Sequence, residues 1–103
     1  MATASLFLMT PIPAGTVNVA ATTSTGNVQI NANGATIRVK NIDVNNVAFI
    51  NFGDSTVTAA VATGIPIGPG DIAGFTRAAG WTHAAAITGT GTATVYFTAG
   101  DGS

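Results

Sequence analysis

The sequence has no cysteine and no glutamate, one histidine, and only three cationic and four acidic side chains among 103 residues. Each scarcity narrows what the chain can do. Without cysteine there is neither a disulfide framework nor a thiolate nucleophile. A zinc site needs three or four nitrogen or sulfur ligands, and His83 alone cannot supply them. Calcium needs clustered oxygens, whereas Asp43, Asp54, Asp71 and Asp101 are dispersed along the chain. Phosphate-backbone binding draws on several cations at once, so Arg38, Lys40 and Arg77 make nucleic acid an unexpected partner. No metal, cofactor or small-molecule substrate is implied.

Long apolar runs are missing too, because Gly, Thr, Asn or Pro interrupts each one before the 18 or so residues that span a bilayer. Residues 1–10 lack a positive leading region and are not expected to act as a signal peptide. Catalysis finds little to work with. His83 has no glutamate, cysteine or second histidine to orient it, and nothing in the spacing of the serines and aspartates implies a triad. Asp54-Ser55 reads instead as a turn in which the carboxylate accepts a hydrogen bond from the Thr56 amide. Gly68-Pro-Gly-Asp71 lacks the Lys and Ser/Thr of a phosphate loop and reads as a turn before a strand over residues 72–77. The chain is not expected to be an enzyme.

What is present is apolar and β-prone. Apolar residues make up 47% of the chain, enough to offset the entropy of ordering one domain. Turn residues recur at Pro13-Ala-Gly15, Gly26-Asn27, Asn33-Gly34, Gly53-Asp54, Gly64, Gly68 to Gly70, Gly80, Gly89 to Gly91 and Gly100. Between them lie segments rich in Val, Ile, Thr, Phe and Tyr, which fit a pleated surface better than a helix. Ala84-Ala-Ala86 is the best helical alternative, but it is short and flanked by Thr. The expected fold is all-β: one antiparallel β-sandwich of about eight short strands over residues 15–103, preceded by an N-terminal arm or edge strand over 1–14.

Two hairpins are expected. One turns at Asn33-Gly34 and sets Ile30 opposite Ile37 and Val28 opposite Val39. The other joins residues 81–87 to 92–98 through Thr88-Gly-Thr-Gly91, its register open between Ala84 and His83 as the partner of Val95. The segment from Asn46 to Gly53 is apolar on both faces, so either a loop or another protein should cover its outer side. Ala62 to Gly70 is the candidate loop. In the arm, a possible strand from Ser5 to Met9 leads into Thr10-Pro-Ile-Pro13, and edge strand and subunit-linking arm stand as equal readings.

Ala35-Thr-Ile-Arg-Val-Lys-Asn41, Ala48-Phe-Ile-Asn-Phe-Gly-Asp54, Ile65-Pro-Ile-Gly-Pro-Gly70, Thr82-His-Ala-Ala-Ala-Ile87 and Gly91-Thr-Ala-Thr-Val-Tyr-Phe-Thr98, with the Gly-Asp-Gly tail, carry a resemblance. From about Ala35 onwards the sequence resembles small tailed-phage virion proteins, including head-decoration or cement proteins. The resemblance implies a jelly-roll-like sandwich on the capsid surface of a virion, made in the host cytoplasm. It also implies binding to the major capsid protein, and to itself as a dimer or trimer. Candidate contact residues are Leu6, Phe7 and Leu8 in the arm, Ile50 and Phe52 in the two-sided strand, Ile65 and Ile67 in the loop, and Trp81. Two other readings stand beside it: a tail, fibre or head-to-tail joining protein, and a carbohydrate-binding module using Trp81 and Tyr96.

Overall fold

The computed structural model describes the backbone of residues 9–30 and 34–102, and the side chains of 15–30 and 34–100. Among the described residues, eight antiparallel strands run in chain order: β1 (Met9–Ala21), β2 (Gly26–Gln29), β3 (Thr36–Asn41), β4 (Ala48–Gly53), β5 (Ile65–Ile67), β6 (Ile72–Thr76), β7 (His83–Thr88) and β8 (Ala93–Gly102). They form two four-stranded sheets, sheet A in the order β1-β8-β3-β6 and sheet B in the order β2-β7-β4-β5. The expected all-β sandwich is what the chain builds.

The pairing has a simple rule. β1 pairs with β8, β2 with β7, β3 with β6 and β4 with β5. The chain is thus one long hairpin bent at the β4–β5 loop, and the ladders β3–β8 and β4–β7 join neighbouring turns as it wraps into two layers. Every connection except β4–β5 therefore crosses from one sheet to the other.

Both expected hairpins are overturned by this arrangement. β2 lies in sheet B and β3 in sheet A, so Val28 pairs with Ala84 and Val39 with Phe97 and Ala73. Likewise β7 lies in sheet B and β8 in sheet A, where Val95 pairs with Val19 and Asn41. The physical reason is that apolar alternation records which face is buried, not which neighbour is hydrogen-bonded. Ile30, Ile37 and Val39 share one core whether their strands lie side by side or face to face.

The core is filled from both inner faces by Val17, Val19, Ile37, Val39, Val95 and Phe97 of sheet A and Ile50, Phe52, Ile67, Ala84 and Ala86 of sheet B. Ala84-Ala-Ala86 is strand, and all three residues are fully buried. Ala85 is buried but lies outside the core cluster, on the outer face of sheet B, where the loop of residues 54–64 lies over it. Asn27 and Asn51 flank Ala85 in the ladder and hold that loop: Asn27 Nδ2 donates to the Ser55 and Val57 carbonyls at 3.1 and 3.3 Å, and Asn51 Nδ2 to that of Thr58 at 3.1 Å. Residues 54–64 thus partly cover the outer face of β4, where Phe49 is half-buried and Asn51 exposed, while residues 65–67, expected in the covering loop, form edge strand β5 instead.

The boundary placed after residue 14 falls inside β1. Met9, Thr10 and Pro11 pair with Gly102, Asp101 and Gly100, then the register shifts before Thr16 meets Thr98. Two prolines in this stretch cannot donate to a ladder, which fits an edge strand with an irregularity. Of the strand expected from Ser5 to Met9, only Met9 is among the described residues, as the first residue of β1.

Candidate functional site

Three of the large apolar side chains most exposed to solvent sit on one short connection, residues 42–47 between β3 and β4: Ile42 is 46% exposed, Val44 82% and Val47 38%. This loop is fixed from beneath. Asn41, fully buried at the end of β3, donates through Nδ2 to the Asn46 carbonyl at 2.9 Å and the Ile67 carbonyl at 3.0 Å. Its Oδ1 accepts from the Asp43 amide at 3.0 Å. Asp43 Oδ2 in turn accepts from the amides of Asn45 and Asn46 at 2.9 and 2.7 Å. Such side-chain bonds to nearby backbone replace ladder bonds and hold a loop in one shape.

Neighbouring connections brace the same end. The Ile42 amide donates to the Thr94 carbonyl at 3.1 Å, and Asn46 Nδ2 donates to that of Thr92 at 2.9 Å. Gly91 adopts φ +67, a backbone shape that favours glycine, and a Cβ there would push on the Asn46 amide at 2.7 Å. The Gly68-Pro-Gly-Asp71 turn closes with the Asp71 amide on the Gly68 carbonyl at 3.0 Å. Gly70 at φ +75 takes the position after proline that a type II turn reserves for a positive φ. The outcome is a rigid end from which Ile42, Val44 and Val47 project, with a shallow depression lined by Asn45, Asn46, Val47, Phe49, Gly89 and Thr90 beside them.

The expected contact residues are mostly elsewhere. Ile50, Phe52 and Ile67 are corrected to core positions, at 0%, 8% and 3% exposure, because they occupy the inward side of sheet B. Ile65 is inward-facing yet 39% exposed, since β5 is an edge. Trp81 is half-buried and stacks on Phe52 with ring centroids 4.6 Å apart. Leu6, Phe7 and Leu8 lie outside the described residues. Trp81 and Tyr96 share no platform: Trp81 packs against the core from the β6–β7 loop, whereas Tyr96 alternates with inward Val95 and Phe97 and points outward from sheet A.

Ile42 and Val44 were missed by sequence reasoning, and Val47 was read only as part of the two-sided segment from Asn46 to Gly53. A usable signal was there: apolar 42 and 44 alternate with Asn41, Asp43 and Asn45, and Asx residues that lock a loop leave the intervening side chains outside.

Among the described residues, no group of three or more His, Cys, Asp or Glu side chains gathers. His83 Nδ1 contacts the Thr82 hydroxyl at 2.8 Å. Asp54 forms the expected turn, its Oδ1 accepting from the Thr56 amide at 2.9 Å and the Thr56 hydroxyl at 2.6 Å. Those two bonds, the hydroxyl foremost, hold the Asp54 carboxyl below its ordinary range. No helix of the described residues is long and apolar enough to cross a membrane.

The chain matches no protein-family model, no curated protein and no solved structure.

Proposed function

We propose that this chain is a non-catalytic structural subunit that docks on a larger protein shell, as a decoration protein bound to the major capsid protein of a tailed phage. The observation that carries the docking is Val44, 82% exposed at the tip of a loop pinned by Asn41, Asp43 and Asn46. A pre-ordered apolar tip loses little entropy on binding and gains by leaving water, which is what an anchor residue needs. The identity of the partner rests on the resemblance over residues 35–102. The rule that pairs first strand with last supports reading the sandwich as a jelly roll, an architecture that includes viral capsid domains.

Many copies on a lattice gain avidity, so each contact can be small. The test is to add the purified protein to phage shells that lack it and follow their melting. Occupied shells should melt at a higher temperature and keep the protein in high salt, because salt screens charge pairs but barely weakens apolar contact. No binding at saturating protein, or release by moderate salt, contradicts the proposal.

A further inference from the structure

The four edges of the two sheets are unequal. β1 carries Pro11 and Pro13 and a register shift, β5 is three residues long with Pro66 at its centre, and β2 is four residues long and packs beside β1. Prolines, irregularities and shortness are the devices that keep strand edges from pairing with other chains. β6, Ile72-Ala-Gly-Phe-Thr76, has none of them: no proline, no charge, and an unbroken ladder with β3.

Its free groups can be named. The Arg77 amide donates to the Ala35 carbonyl and the Asn41 amide to that of Asp71, which fixes the odd-numbered residues as those bonded to β3. The N–H and C=O groups of Ile72, Gly74 and Thr76 therefore point away from the sheet, with no backbone partner among the described residues. The same side of the sandwich leaves core-facing side chains partly uncovered. Phe75 and Ala73 pack against the core but are only half-buried, and Ile65 on the adjacent edge of sheet B is 39% exposed. On the opposite side, where β1 packs on β2, Val17 and Val19 are 9% and 7% exposed.

We infer that β6 pairs with β6 of a second copy of this chain, antiparallel across a two-fold axis at Gly74. This inference does not rest on the proposed docking. In that register Gly74 faces Gly74 and Ile72 faces Thr76 of the other copy, so each outward N–H and C=O meets a partner. Ala73 of each copy then lies beside Phe75 of the other and covers it. Self-pairing needs an edge that does not repel itself, and β6 has no charge in a chain of formal net charge −1.

Sedimentation of the full chain should show a dimer whose self-association falls at least about tenfold with Thr76→Lys, which puts a charge on the edge. Gly74→Pro, which removes only an outward N–H, should act likewise, and circular dichroism checks that both variants remain folded. Gly74→Cys in this cysteine-free chain should cross-link under mild oxidant, since facing Cα atoms about 5.5 Å apart lie within disulfide reach. The same change at exposed Ala20 on β1 should not cross-link. A monomer at the highest soluble concentration overturns the inference. So does a dimer insensitive to both edge variants, equal cross-linking at residues 20 and 74, or a dimer lost only when residues 1–8 are removed.

Discussion

At one end of the sandwich Phe52 gathers Phe75, Trp81 and Phe97 within ring-centroid distances of 4.6 to 6.0 Å. At the other, one buried asparagine and its polar neighbours tie three connections together, and Ile42, Val44 and Val47 stay outside. The first end is held by apolar area and the second by directed bonds. The difference teaches how a small domain can present apolar side chains without swallowing them: backbone groups fixed by Asx side chains leave the loop no freedom to collapse onto its own core.

The sharpest way to break that contrast is at the aromatic end. Phe52→Ala removes the ring shared by all three aromatic contacts and should cost about 3–5 kcal/mol, read as a drop in unfolding free energy by denaturant titration. Asn41→Ala should cost less, about 1–3 kcal/mol for a buried bond set left incomplete. It should also speed amide hydrogen exchange at Asp43, Asn45 and Asn46 while leaving β7 protected, an asymmetry that Phe52→Ala should not reproduce. Val44→Asp should shift stability by no more than about 0.5 kcal/mol, because a side chain this exposed supports nothing beneath it. If Val44→Asp instead unfolds the protein, the tip is part of the core in solution and the contrast fails.

The smallest effect concerns the polar turn after β4. Asp54 has a folded-state carboxyl held below its unfolded value by Thr56. Its contribution is therefore complete above the unfolded pKa and disappears as the pH falls through the folded one. Asp54→Asn should lower stability slightly near neutral pH and leave it unchanged at acid pH, which flattens the acid limb of the stability profile. A steeper acid limb in the variant would contradict the assignment.

Much of the fold was legible because its signals are local. Asp54 capping Thr56 and the Gly68-Pro-Gly-Asp turn depend on residues next to one another, and the structure places both as expected. Strand partners were not legible, because β1 finds β8 across the whole chain and nothing in Val17 or Val95 encodes that choice. Asn33-Gly34 suits a tight hairpin, yet the strands around it face each other across the core, as the same apolar alternation allows. The expected contact residues went astray for a related reason. Ile50 and Phe52 looked surplus to a one-sided strand and Ile67 belonged to the expected covering loop, but the Asn27 and Asn51 amides bring a different loop over the outer face of sheet B, and these three side chains turn inward.

The most direct measurement compares wild-type protein with Val44→Asp for binding to phage shells that lack the protein, at high salt, with circular dichroism confirming equal folding. The expected result is at least about a tenfold loss of affinity in the variant. Equal binding by the two would show that the pinned apolar tip is not the docking surface.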